Sequence, residues 1–246
     1  MNFIELFKKK SLIAAHRGAS AIAPENTLLA MKKSIGHCDF IEIDVQLSSD
    51  GVAVIVHDST LDRTTNVKEL NAYKSRSPYN VCDFTSDELS ILDFGEGEKL
   101  LTLRRALEFI KENSLYLNIE IKDVKNSFSD EKIVSTVLED IKNVGVENQV
   151  LISSFRAEYL TMIKNISSVI PIALLLDSVP NNLLEYLHSL SAEACHISKK
   201  ALSKELVDNL KREGFFVSVY VVNDKREQKK LFDMGVNAVF SDLSAT

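Results

Sequence analysis

Short apolar or β-branched runs alternate with helical patterns along this chain. The runs predict strands at Leu12–Ala15, Phe40–Leu47, Leu115–Ile121, Val150–Ser153, Pro171–Leu175, Ala194–Ile197, Phe215–Val221 and Ala238–Phe240. Helical patterns fall between them, at Thr27–Ile35, Leu103–Glu112, Glu131–Asn143, Arg156–Ile166, Asn182–Ser189, Ser203–Arg212 and Asp224–Asp233. Strands that alternate with helices pair in parallel. Eight such units in 246 residues predict an α/β fold of the (β/α)8 TIM-type barrel class, a single domain over residues 1–246. An open doubly wound sheet has the same strand count and remains the alternative. The amphipathic start, with Phe3, Ile4, Leu6 and Phe7, fits a first helix that closes the barrel bottom better than a membrane-surface helix.

One stretch breaks the rhythm. Asp58 to Leu100 is too long for an ordinary connection, and such loops are often functional. We expect a small inserted cap segment there, after the second strand. Within it, Thr85-Ser86-Asp87-Glu88 reads as a capping box that starts a short helix. Gly95 and Gly97 do not complete a phosphate-binding GxGxxG loop and read as a turn.

The strand faces carry the chemical signal. In the second strand Ile41, Ile43, Val45 and Leu47 share one face, and Phe40, Glu42, Asp44 and Gln46 share the other. The third strand repeats this, with Tyr116, Asn118, Glu120 and Lys122 on its polar face. In a barrel that face points inward, where carboxylates are costly unless paired or metal-bound. They also sit toward strand C-terminal ends, the catalytic face of such barrels. Two histidines join them. His16 follows the first strand, and His57 ends the run Val52–Val56 behind the hairpin signal Asp50-Gly51. A two-residue loop there would set Ser49 against Val52 and Asp44 against His57.

The inventory is coherent. Glu42, Asp44 and Glu120 offer hard oxygen ligands, suited to Mg²⁺ or Ca²⁺ rather than zinc. His16 and His57 suit acid–base work near neutral pH, and Arg17 and Lys122 suit an anion. Three carboxylates, a divalent ion and two basic side chains leave one net positive charge. That matches a phosphodiester and favours phosphoryl transfer. His196 lies on the inward face of its strand and is a further candidate for the substrate side.

Composition adds exclusions. Lys and Arg number 29 against 35 Asp and Glu, a net charge of −6, which argues against a dedicated nucleic-acid binder. Cys38, Cys82 and Cys195 form no CxxC pair, so a disulfide framework or structural zinc is not expected. They read as small buried residues in a reducing compartment. No apolar run approaches a membrane span, and the stretch behind Lys8-Lys9-Lys10 is too short for a signal-peptide core. A cytoplasmic protein is the expectation.

At these residues the chain resembles the glycerophosphodiester phosphodiesterase family. The resemblance runs in order through His16-Arg17-Gly18, Pro24-Glu25-Asn26-Thr27, Glu42-Ile43-Asp44-Val45-Gln46, Asp50-Gly51, His57-Asp58, Leu61-Asp62-Arg63-Thr64-Thr65 and Asn118-Ile119-Glu120-Ile121-Lys122. Each piece is weak alone; together they cover nearly the whole chain. The resemblance implies a TIM-type barrel and metal-dependent hydrolysis of glycerophosphodiesters to sn-glycerol 3-phosphate and an alcohol. It implies metal ligands at Glu42, Asp44 and Glu120, an acid/base pair at His16 and His57, and phosphate contacts from Arg17 and Lys122.

Two segments depart from the family. Where the family commonly has Trp before Thr-x-Asn, this chain has Val219-Tyr220-Val221-Val222-Asn223 and no Trp, so Tyr220 supplies the aromatic wall for substrate. Where the family reads Thr-Asp-x-Pro, this chain has Ser241-Asp242-Leu243-Ser244. Rival readings are the same chemistry on lysophospholipids, favoured by an apolar groove beside the cap, and a non-catalytic glycerophosphodiester-binding protein, which would bind without turnover.

Overall fold

The computed structural model describes residues 2–243; Ser244, the end of the second departing segment, lies outside them. In chain order the elements are α1 (Phe3–Phe7), β1 (Leu12–Ala15), α2 (Leu28–Ser34), β2 (Phe40–Leu47), β3 (Ala53–Ile55), α3 (Ser86–Ile91), α4 (Leu103–Glu112), β4 (Leu117–Ile121), α5 (Asp130–Val144), β5 (Val150–Ser154), α6 (Ala157–Ile166), β6 (Ile172–Leu176), α7 (Leu183–Ser189), β7 (Ala194–Ser198), α8 (Lys204–Arg212), β8 (Phe216–Tyr220), α9 (Lys225–Met234) and β9 (Ala238–Ser241). All of these except β3 and α3 follow the alternation. The parallel strands run β1–β2–β4–β5–β6–β7–β8–β9, and β9 pairs with β1 to close the circle. The barrel is closed, so the open-sheet alternative falls.

Helix starts sit one residue inside several expected boundaries, for a local reason. Thr27, Ser203 and Asp224 are caps whose side chains accept backbone N–H groups, not first helical residues. Outward strand residues such as Ile41, Ile43, Val45 and Leu47 pack with the helices in one large core. The inner bottom is separate. There Phe3, Leu6 and Phe7 of α1 pack on Leu12, Ala14, Phe40, Ala173, Ala194 and Ala238. The small alanines make room for the aromatic plug, and Phe7 stacks on Phe216 at 5.1 Å. Each such side chain contributes roughly 1.5–3 kcal/mol by leaving water. The amphipathic start is thus a buried stopper at the bottom of the barrel.

The segment 58–100 has its own small core, which includes Leu61, Tyr73, Phe84, Leu89 and Phe94 packed under Val54 and Val56. The capping box at Thr85 and Glu88 is formed in both directions. The Gly95–Gly97 turn closes on the Asp93 carboxylate, which accepts both glycine N–H groups at 2.7 and 3.1 Å.

The hairpin register differs from the expectation. Val45 faces Ile55, Gln46 faces Val54, and Leu47 faces Ala53. Ser48 therefore faces Val52, and the loop is Ser49-Asp50-Gly51, one residue longer. Gly51 N–H donates to Ser48 C=O at 2.8 Å and Gly51 takes a left-handed φ of +81°, the conformation that closes a three-residue hairpin loop. Asp50 fixes this form by accepting Ser48 Oγ–H at 2.6 Å and both donors of Ser86. Asp44 is consequently bonded through Val56 N–H at 3.0 Å, not set against His57.

The cysteines also differ in part. Cys195 is buried, but Cys38 and Cys82 are only half-buried, and all three are free thiols. Cys38 donates to Ser34 C=O at 3.4 Å, and Cys82 accepts Ser127 Oγ–H at 3.3 Å. Among the described residues no helix is long and apolar enough to cross a membrane.

Candidate active site

The residues singled out in the sequence meet at the C-terminal mouth of the barrel. His16, Arg17, Glu42, His57, Glu120, Lys122 and Tyr220 all line one cavity of about 170 Å³. Asp44 sits against it. Oxygen atoms of Glu42, Asp44 and Glu120 lie within 4.8 Å of one another. β2 and β4 are in register there, Glu42 beside Asn118 and Asp44 beside Glu120, which is why alternate residues on two adjacent strands form one cluster.

The loop after β1 carries His16 and Arg17 around a sharp turn. Arg17 itself is left-handed, at φ +56°. Gly18, at φ +76°, packs so closely on α2 that a Cβ would stand 2.7 Å from Ala30 backbone. This close approach lets Arg17 N–H donate to Glu42 Oε2 at 2.8 Å.

Glu42 is buried, and its Oε1 has no hydrogen-bond partner among the described residues. Burial, reinforced by the Asp44 charge, pushes its carboxyl up to about 8. Glu120 is raised in the same way, by burial and then Asp44. Burial also opposes the Asp44 charge, but Lys122, His57, Arg17 and the Asn26 amide outweigh it, and its pKa is lowered. An orphaned buried carboxylate oxygen among crowded like charges, with an all-oxygen donor set, fits a hard divalent cation. The three residues could hold such an ion.

The basic residues lean on this cluster. Lys122 Nζ lies 2.7 Å from Glu120 and 3.4 Å from Asp44. Arg17 reaches Glu25 at 2.8 Å and Asp44 at 3.5 Å. Both hold positive charge at the cavity, and both are anchored by carboxylates.

Each histidine has its own carboxylate. His16 Nδ1 is 2.8 Å from Asp242, and His57 Nδ1 is 2.6 Å from Asp58. In each ring Nε2 is thus the nitrogen left for a substrate. Burial pushes His16 down, but the Asp242 hydrogen bond and the Glu42 charge outweigh it, so its pKa is raised. For His57 burial prevails over Asp44 and Asp58, and its pKa is lowered. Asp242 is held near 2, chiefly by His16. Asp58 is also near 2, chiefly through Arg63.

The sequence alone assigned no role to several residues of this constellation. Asp242 comes from the far end of the chain and is held by Ser20 and Asn223. Arg63, from the cap, donates to Asp58 at 2.5 Å and to both oxygens of Glu25 at 2.6 and 2.8 Å. Asn26 directly precedes Thr27, whose side chain caps α2. Asn26 instead donates to Asp44 Oδ2 at 2.9 Å and accepts Asp44 N–H at 3.3 Å. The available signal was adjacency: Asp58 directly follows His57, and Asn26 precedes the true cap.

Tyr220 donates its hydroxyl to Asp177 at 3.0 Å and meets Phe155 edge-on at 6.3 Å. It lines the cavity with its hydroxyl already engaged.

Comparison with known proteins gives a consistent picture. Residues 16–246 match the family model described as the glycerophosphoryl diester phosphodiesterase family. A glycerophosphodiester phosphodiesterase of Caldanaerobacter subterraneus subsp. tengcongensis is 34% identical over 95% of this chain and 94% of that protein. One from Bacillus altitudinis is 32% identical over 94% of each. Among solved structures, an Oleispira antarctica phosphodiesterase in complex with the product sn-glycerol-3-phosphate superposes with a TM-score of 0.85 at 30% identity. That match covers 96% of this chain and 95% of that one.

Proposed function

The chain belongs to the glycerophosphoryl diester phosphodiesterase family, and on that premise we propose that it hydrolyses water-soluble glycerophosphodiesters to sn-glycerol 3-phosphate and an alcohol, using two histidines and a divalent ion, Mg²⁺ or Ca²⁺. The observation that carries this reading is the pair of imidazoles, each fixed by its own carboxylate, on a cavity with three convergent carboxylates. We read the chain as one barrel domain over 1–246, with the cap as an insertion at about 58–100.

Glu42, Asp44 and Glu120 would hold the ion. When bound, it would neutralise charge on the phosphoryl oxygens and orient the diester. Arg17 and Lys122 bind the non-bridging oxygens with charge-assisted hydrogen bonds. His57, kept neutral by burial, takes the proton of the attacking hydroxyl at Nε2. His16, kept protonated by Asp242, gives its Nε2 proton to the leaving oxygen as the P–O bond breaks. Water either attacks phosphorus directly or opens a cyclic phosphate formed by the glycerol 2-hydroxyl; both routes need the same acid and base. Tyr220 walls the cavity with its ring.

The cleft beside the cap supports a water-soluble substrate over a lysophospholipid. It is lined by Gln46, His57, Ser59, Glu120, Lys122 and Asp123, with Ile121 and Phe155 as its two apolar residues. The three free thiols suit a cytoplasmic setting. His16→Ala and His57→Ala should each lower kcat by about 10²–10⁴, read as release of sn-glycerol 3-phosphate. Near-full activity in either variant removes that histidine from the mechanism.

A further inference from the structure

Barrels of this class fill their interior with branched aliphatic side chains. Here the layer near the carboxylates is polar and unpaired. His196 on β7 is fully buried, and neither ring nitrogen has a partner among the described residues. Its ring lies edge-on to Phe240 at 4.9 Å and lines the same cavity as His16, Glu42 and Asn118. Ser218, its register neighbour on β8, is also fully buried with an unpartnered hydroxyl. Both point inward, because Cys195, Ile197, Val217 and Val219 on either side of them pack in the outer core. Asn118 donates Nδ2 to Ser153 Oγ at 3.0 Å, and its Oδ1 has no partner.

Buried polar groups without partners are costly and rare. Three of them on inward strand faces imply a polar guest. We propose that His196, Ser218 and Asn118 form a hydroxyl-recognising floor that receives the glycerol moiety, so that free glycerol hydroxyls are what this site selects. The inference rests on the glycerophosphodiester reading and refines it.

The chemistry of the three groups fits a vicinal diol. His196 is kept neutral by burial, at about 3, so it offers one donor and one acceptor. Ser218 offers both, and Asn118 Oδ1 accepts. A diol has two donors and spare lone pairs to meet them. No full charge from these residues is present to favour an ammonium or carboxylate guest. An acyl ester in place of a hydroxyl would remove a donor and drive its chain toward a floor closed below by Phe40 and Phe240. Sites built to hydrogen-bond a hydroxyl reject analogues that lack it.

The test is calorimetric binding of two ligands to the metal-loaded protein: sn-glycerol 3-phosphate, and propyl phosphate, which has the same phosphate and carbon count but no hydroxyl. The wild type should prefer glycerol 3-phosphate by about 30-fold or more. His196→Leu should bring that preference within about threefold while leaving propyl phosphate affinity nearly unchanged. His196→Gln, which keeps a donor and an acceptor, should recover part of it. Ser218→Ala should reduce it partially, and decides the matter if His196→Leu fails to melt cooperatively. Absence of a wild-type preference overturns the proposal, as does an equal loss of both ligands in the variants. Binding is read without turnover, so failure of the hydrolytic reading would show separately, as intact diester in an activity assay.

Discussion

Asp242→Asn isolates what holds His16 in its role. The Asp242 carboxylate accepts from three donors: His16 Nδ1 at 2.8 Å, Ser20 Oγ at 3.1 Å, and Asn223 Nδ2 at 2.7 Å on its other oxygen. An amide has one accepting oxygen. If that oxygen faces His16 and Ser20, its NH₂ meets the Asn223 NH₂; if reversed, its NH₂ meets His16 and favours the wrong tautomer. A hydrogen bond to a charged group is worth about 1.5–3 kcal/mol. At about 1.4 kcal/mol per pH unit, His16 should fall by about one to two units. The sign follows from the role: His16 acts protonated and its pKa is raised, so activity is present below that pKa and lost above it. Removing the carboxylate moves the alkaline limb of kcat/KM to lower pH. Loss of orientation should lower the plateau by a further factor of about 10²–10⁴. The assay is glycerol 3-phosphate release at saturating metal across the pH range, with wild type alongside. An unchanged alkaline limb at full rate would refute the assignment of His16 as the acid.

Three other outcomes follow from the same geometry. The wild-type acid limb should lie below the usual histidine value, because burial lowers the pKa of His57 and the base is lost as pH falls through it; a limb above that value would contradict His57 as base. Asp44→Asn and Glu120→Gln should each weaken Mg²⁺ or Ca²⁺ binding at least about tenfold by calorimetry, with loss of turnover; unaltered affinity would exclude these ligands. Phe7→Ala should cost about 3–5 kcal/mol in urea unfolding, since Phe7 is buried and stacked on Phe216 at the barrel bottom; a change under about 1 kcal/mol would mean that α1 is not part of the fold's core.

The barrel was legible because its strands carry their own faces. In β2 and β4 the alternation of Ile, Val and Leu with Phe, Glu, Asp, Gln and Asn separates the outer core from the site, and both faces lie where the period of two puts them. The loop of the hairpin was less legible. Asp50-Gly51 signals a turn, but its length depends on the Ser48 and Ser86 donors that Asp50 collects, and Ser86 lies beyond the turn itself. Asp242 illustrates the larger limit. It meets His16 only because β9 closes on β1, with His16 N–H bonded to Ser241 C=O at 2.9 Å. No local pattern encodes a contact made by closure of the barrel. Arg63 is similar: it joins Asp58 and Glu25 through the packing of the cap, which sequence spacing does not specify. Polarity of His196 and Ser218 was visible, but their lack of partners is a property of the assembled interior.

Metal-dependent cleavage of glycerophosphodiesters at this mouth is tested most directly by release of sn-glycerol 3-phosphate from glycerophosphocholine, -ethanolamine, -glycerol and -inositol, each with Mg²⁺, with Ca²⁺ and with chelator, beside a His16→Ala control. Release should require the ion and disappear with the chelator and in the control. Release undiminished by chelator, or no release from any of the four with either ion, would contradict it.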